Sequence, residues 1–179
     1  MPPVAVELPD GRTVRFRGSV DRVDRTDQGG LIVTDYKTGG TSAYTGLSES
    51  EPTVGGTRLQ LPVYSLAARA VAGAPDAGVT AEYWFVTNKA NFHTRIVPLT
   101  PQVHATVVAD LTTIVDGIEG GLFPAHPRRP TWQLWIDCPA CDPDGVGTAE
   151  RWHEWTRKKD APILGPYVAL AGRQGTDRG

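Results

Sequence analysis

Long hydrophobic runs are missing from this sequence, and with them any stretch near the roughly 20 apolar residues that a membrane-spanning helix requires. Cysteine is scarce too: the two present, Cys138 and Cys141, share one C-x-x-C and cannot form a disulfide framework. Neither sign of charge is in excess. The 18 basic and 20 acidic residues give a net charge of −2, so no whole-molecule field draws the chain to a polyanion. Met1-Pro2-Pro3 does not open a signal peptide, so the expectation is cytoplasmic residence without a membrane partner. No internal repeat is visible. What remains is a chain of 179 residues, 40% hydrophobic and 21% charged, long enough to bury a core as one domain with an appended tail. Glycine (20) and proline (15) are frequent, which predicts long loops.

The stretch Leu31-Ile32-Val33-Thr34-Asp35-Tyr36-Lys37-Thr38-Gly39-Gly40 is the most informative one present. It reads as an apolar strand that ends in two charges and breaks into glycine. Alternate strand residues share a face, so Leu31, Val33, Asp35 and Lys37 project together, from a core to a polar edge. A carboxylate and an ammonium so placed can bind a divalent cation and balance charge beside it. A lone D-x-K is more often a surface salt bridge of small energetic weight. Other residues must therefore decide.

Upstream, Val4–Leu8 and Arg12–Val20 read as strands joined through Pro9-Asp10-Gly11, a strong hairpin signal. The second strand is expected to run on to about Arg25 and turn at Asp27-Gln28-Gly29-Gly30. Asp21 and Asp35 then lie on neighbouring antiparallel strands, where one metal can be shared. Asp24 falls on the opposite strand face and is expected to pair with Arg22 or Arg25. Residues 38–56 read as a mobile loop, and 57–72 as a helix with an apolar stripe of Leu59, Val63, Leu66, Ala67 and Ala70. Gln60 and Tyr64 form an i, i+4 pair beside that stripe. Pro62 has to lie in the first turn or bend the helix.

Val79–Thr87 and Phe92–Leu99 read as two further strands around Asn88-Lys89-Ala90-Asn91. Glu82, within the first, is a candidate further acid. Thr100-Pro101 starts a second helix with a stripe of Val103, Val107, Leu111, Ile114 and Ile118, ended by Gly120-Gly121. Beyond Leu122 comes a proline-rich stretch with Trp132, Trp135 and the cysteines, then a short helix near Thr148–Arg157. Irregular structure is expected past Lys158, with Gly172–Gly179 disordered. The expected organisation is a core over 1–125 and an extension over 126–179 packed on the same domain. His93, His104 and His153 have no ligand spacing and read as surface or packing residues. Trp84, Trp132 and Trp135 could stack unpaired bases, though tryptophan more often anchors a core or loop. Basic residues gather late (Arg128, Arg129, Arg151, Arg157, Lys158, Lys159, Arg173, Arg178), either as a solvated face or as a contact for DNA or a partner domain.

Three blocks now stand in order: Gly18-Ser19-Val20-Asp21, Asp35-Tyr36-Lys37 and Gln60-Leu61-Pro62-Val63-Tyr64. This order resembles the PD-(D/E)xK nuclease superfamily, and more narrowly the RecB/AddB-like exonuclease domain at the C-terminal end of UvrD-like helicases. The resemblance is close over Gly18–Ala68 and loose elsewhere. It implies a restriction-endonuclease-like α/β core, a mixed sheet flanked by helices, followed by an irregular C-terminal segment. It implies Asp21 and Asp35 as metal-binding carboxylates, the backbone carbonyl of Tyr36 as a further ligand, Lys37 as the catalytic lysine, and Gln60 with Tyr64 beside the site. Mg²⁺ or Mn²⁺ is the implied cofactor, since hard oxygen ligands suit both. The implied activity is DNA exonuclease action on single-stranded ends, with helicase motor domains as partners in repair or recombination. A catalytically silent DNA-binding or scaffolding module is the alternative.

The sequence departs from the family in two places. Members carry an acidic or histidine-bearing helix before the first catalytic strand, whereas the residues before Asp21 read as a hairpin. A C-terminal fragment of a larger helicase–nuclease, or a trimmed member, is the resulting expectation. Some AddB-type relatives hold an iron–sulfur cluster on four cysteines. Only Cys138 and Cys141 are present here, and a closed structural zinc site also needs four ligands. No cluster is expected, and the two thiols are expected to be reduced or loosely paired.

Overall fold

The computed structural model describes residues 3–127 and 148–173. Its contacts divide the chain into two units, 1–112 and 113–179. The expectations for Trp132, Trp135, Cys138 and Cys141 lie outside the described residues.

In the first unit, β1 (Val4–Glu7) and β2 (Thr13–Phe16) form the expected antiparallel hairpin. Gly11 at its tip adopts φ +85, a left-handed conformation that glycine enters without a Cβ penalty. The second strand is shorter than its alternation suggests. It leaves the ladder after Phe16, and β3 (Arg22–Arg25) resumes in a different sheet. Gly18 sits in the break, as glycine does where a strand gives way to a bend.

The principal sheet has the order β3-β4-β5-β6. β4 (Leu31–Lys37) pairs antiparallel with β3 and parallel with β5 (Val79–Phe85), which pairs antiparallel with β6 (Thr94–Pro98). A parallel pair needs a crossover, and α1 (Gln60–Val71) supplies it, packing against β4 and β5. The architecture is thus a mixed α/β sheet with helices. Strand alternation sorts most of the side chains, although Thr34 on the opposite face is buried too. Leu31, Val33 and Asp35 of β4 and Val79, Ala81, Tyr83 and Phe85 of β5 are all buried, while Tyr36 and Trp84 on the opposite face are exposed. Burying an aliphatic side chain as fully as Val33 is worth about 1.5–3 kcal/mol.

α1 begins three residues later than its periodicity suggests, and Pro62 falls in its first turn. Its buried arc is broader than a single stripe: Leu61, Pro62, Val63, Ser65, Ala67 and Ala68 are buried, whereas Ala70 is exposed. The helix is covered on two sides, by the sheet and by the β1–β2 hairpin, where Val4, Val63 and Ala67 form a small cluster. Residues 38–59 are not the featureless loop their glycines suggest. Leu47, Pro52, Thr53, Val54 and Gly55 are buried. Thr53 Oγ1 donates to Asp110 Oδ2 of α2 (Pro101–Glu119) at 2.5 Å. Left-handed backbone at Val54, Gly55 and Gly56 (φ 49, 60 and 79) turns the chain into α1.

α2 starts as expected, Thr100 Oγ1 accepting from the Val103 amide at 3.2 Å, and Gly121 at φ +67 follows its end. Val103, Val107 and Leu111 are buried, Ile114 is half-buried and Ile118 is exposed, so the stripe is used only over its first turns.

The second unit contains α3 (Thr148–Lys158) and, against expectation, regular structure beyond it: a 3-10 turn at Pro162–Leu164 and α4 (Gly165–Gly172). Proline at the second position starts α4 without wasting an amide donor. Trp155 is buried with the His126 imidazole stacked on it, ring centroids 4.1 Å apart, and His126 Nδ1 lies 3.0 Å from the Tyr167 hydroxyl. Burial holds the His126 pKa below its usual value and raises that of Tyr167. No helix among the described residues is long and apolar enough to cross a membrane.

Candidate active site

β4 carries Asp35 and Lys37 to the end of the sheet on the face that α1 covers. Asp35 is 4% exposed, an unusual depth for a carboxylate without partners. It has partners. Gln60, the first residue of α1, donates from Nε2 to Asp35 Oδ1 at 2.7 Å. The Lys37 ammonium meets Asp35 Oδ2 at 2.5 Å and donates to Gln60 Oε1 at 3.2 Å. The amide thus answers an anion with its NH₂ end and a cation with its carbonyl end, which fixes its orientation. Gln60 Nε2 also lies 3.0 Å from the Tyr64 hydroxyl, one turn along the helix. Asp35, Lys37, Gln60 and Tyr64 form one connected cluster.

Asp21 joins from the other side. It immediately precedes β3, whose register sets Arg22 opposite Thr34, and its Oδ2 accepts from the Tyr36 amide at 2.9 Å. That peptide links Asp35 to Tyr36, so Asp21 is tied to the same strand end. The bond uses the Tyr36 amide and does not bear on the Tyr36 carbonyl, which the resemblance implies as a metal ligand. The Tyr36 ring projects to the far face, 5.8 Å from the Trp84 ring, with the Arg22 guanidinium 3.4 Å from its hydroxyl.

The other candidate acids fall away. Arg22 Nε donates to Asp24 Oδ2 at 2.6 Å in the expected surface pair. Glu82 stands opposite Thr34 in the β4–β5 register and accepts from Thr34 Oγ1 at 2.9 Å. It belongs to the face away from Asp35, because the pleat sends neighbouring residues to opposite sides. Trp84, on that face too, is exposed with its ring tilted against Tyr36, and is not a core anchor.

Three contributors were missed in the sequence. Tyr83 lies directly opposite Asp35 in the parallel register, buried, with its ring centroid 4.8 Å from the Lys37 ammonium. Tyr44, from the loop before α1, packs on Tyr83 and Phe85 with its ring 5.9 Å from that ammonium. Cation–π contact holds the lysine head from beneath. Desolvation, reinforced by Tyr44 and the Asp35 charge, pushes the Tyr83 pKa far above the usual tyrosine range. Arg95, opposite Tyr83 on β6, carries a buried Nε without a hydrogen bond. A parallel β4–β5 pairing, had it been assumed, would have found Tyr83; nothing in the sequence marks Tyr44.

Asp35 Oδ2 is a buried oxygen without a well-aligned hydrogen bond, its ion pair with Lys37 notwithstanding. Among the described residues no group of three or more His, Cys, Asp or Glu could hold a metal. Two carboxylates at one strand end nonetheless match a hard cation that is bound through one or two carboxylates and keeps its waters. The donor set fits Mg²⁺ or Mn²⁺ and not a thiolate-seeking metal.

A carboxylate–lysine pair at the end of a mixed sheet, clamped by the helix of the parallel crossover, defines a restriction-endonuclease-like α/β protein. The family comparison agrees, with a match to the PD-(D/E)XK nuclease superfamily over residues 1–146. The chain belongs to that superfamily, whose members are phosphodiester hydrolases. Neither the curated proteins nor the solved structures include a match to it.

Proposed function

We propose that this chain is a divalent-metal-dependent DNA exonuclease domain acting on single-stranded ends, alongside the helicase motor of a repair or recombination protein. The observation that supports this reading most strongly is the Asp35 carboxylate. It is buried at a strand end, clamped by Gln60 and Lys37, with Oδ2 lacking a hydrogen bond. Asp35, Asp21 and the Tyr36 carbonyl would hold the cation. When bound, such an ion polarises a phosphoryl oxygen and lowers the pKa of its water.

The chain's own residues do the rest. Lys37 places a fixed positive charge beside the carboxylates, where negative charge grows on the phosphate. It is a half-buried ammonium, 21% exposed at the side chain, so solvent screens it less than at an open surface. Gln60 holds both partners in one geometry and so acts as a positioning residue. Tyr64 braces Gln60 in turn. The aromatic floor of Tyr83 and Tyr44 keeps water from beneath the ammonium.

The test is digestion of end-labelled single-stranded DNA with Mn²⁺ by the parent chain and by Lys37→Ala. The expected loss is about 10²–10³-fold, the range seen when one preorganised electrostatic donor is removed. Equal cleavage by both chains would remove the lysine from the mechanism. Binding of DNA without any cleavage by the parent would instead support a silent module.

A further inference from the structure

Beside the site, an apolar groove runs between the β1–β2 hairpin and α1. Val4, Phe16, Leu59 and Val63 line it, and Gln60 and Tyr64 form the end nearest Asp35. Its volume of about 190 Å³ is below the roughly 300–1,000 Å³ of pockets that enclose a whole small ligand. It suits a single planar ring. The ring face available is Phe16, half-buried and packed against the Val4–Val63–Ala67 cluster. Gly18 stands at the mouth, where a Cβ would be 4.0 Å from the Tyr64 ring, so the backbone passes without closing it.

Arg17 lies on the same rim. Its side chain is exposed and has no ion pair or hydrogen bond among the described residues. Most neighbouring charges are spoken for: Arg12 by Asp10, Arg22 by Asp24 and Lys37 by Asp35. An apolar slot with one unpaired guanidinium, continuous with a phosphodiester-cleaving site through Gln60 and Tyr64, has the chemistry of a nucleotide subsite. Stacking on an aromatic face is indifferent to base identity, and the guanidinium supplies the phosphate contact.

We propose that this groove takes one unpaired base of a single-stranded substrate against Phe16, with Arg17 on a flanking phosphate. The proposal rests on the nuclease reading of the adjoining site. A paired base is already stacked and cannot enter, so the groove selects frayed or single-stranded ends.

The test is fluorescence anisotropy without added divalent cation, using a short labelled single strand and the same backbone with abasic positions. The parent is expected to bind the base-bearing strand about tenfold more tightly, as one stacked base contributes. Phe16→Leu, which keeps the apolar wall, should erase that preference, and Phe16→Tyr should keep it. Arg17→Gln should weaken both strands alike and reduce the salt slope by about one. Absence of base preference in the parent, its survival in a folded Phe16→Leu, or an Arg17→Gln chain with parental affinity and slope would each overturn the proposal. Cleavage with Mn²⁺ separates the two claims. A parent that cleaves without base preference loses only the groove, and one that shows the preference but never cleaves loses only the nuclease reading.

Discussion

Asp35 and Tyr36 are neighbours in the chain and opposites in the fold. Asp35 faces α1, is 4% exposed and belongs to a four-residue polar cluster, whereas Tyr36 faces away, is 36% exposed and rests on Trp84. The same holds one strand over, where buried Tyr83 lies beneath Lys37 and Glu82 pairs with Thr34 on the other side. One face of β4 and β5 therefore carries the candidate site and the other is a partly exposed surface. Which face matters was set by where α1 packs, because only α1 brings Gln60 and Tyr64.

The largest effect expected from breaking this asymmetry is at Asp35. Asp35→Ala removes both the candidate ligand and the anchor of Lys37 and Gln60. Mn²⁺ should then no longer raise the melting temperature, and cleavage should fall to background; scanning calorimetry with and without Mn²⁺ checks the first. Lys37→Ala comes next. A strand-end salt bridge read from sequence alone suggests a small stability cost. The observed burial of Asp35 revises that to about 1–3 kcal/mol, because a buried carboxylate loses the cation paired with its Oδ2. Urea unfolding of the variant measures it.

Gln60→Leu should lower cleavage about 10²-fold through misplacement of Asp35 and Lys37. Tyr64→Phe, which removes a single hydrogen bond to the positioning residue, should cost less. The order of the two rates tests whether Gln60 or Tyr64 holds the cluster. A smaller signature lies in alkali. Tyr83 keeps its proton when folded, while the unfolded chain ionises near pH 10, so its raised pKa contributes stability below pH 10 that is lost as pH rises further. Stability should fall more steeply above about pH 10 in the parent than in Tyr83→Phe, as read from urea midpoints.

Much of the site face could be read from the sequence because periodicity and chemistry coincide there. Leu31, Val33, Asp35 and Lys37 alternate, and Gln60 and Tyr64 are one helical turn apart, so local spacing carried the geometry. Contributions from distant residues could not be read the same way. Tyr83 meets Lys37 only through a parallel pairing, and Tyr44 reaches it from a glycine-bearing loop whose packing depends on buried Thr53 and Val54. The break after Phe16 was hidden because alternation continues through Gly18 to Val20 while the backbone changes sheets. α4 was missed because Gly165-Pro166 reads as a turn, although proline is at ease in a first helical turn. The carboxylate–lysine site needed one strand and one helix; its floor needed the whole sheet.

If a single face of β4 does the chemistry, one side-by-side assay separates it from the opposite face. Mn²⁺-dependent digestion of single-stranded DNA is compared for the parent, Asp35→Asn and Tyr36→Ser, each shown by circular dichroism to be folded. Background activity is expected for Asp35→Asn and near-parental activity for Tyr36→Ser, whose backbone is unchanged. Cleavage that survives in Asp35→Asn, or is lost with the Tyr36 ring instead, would contradict it.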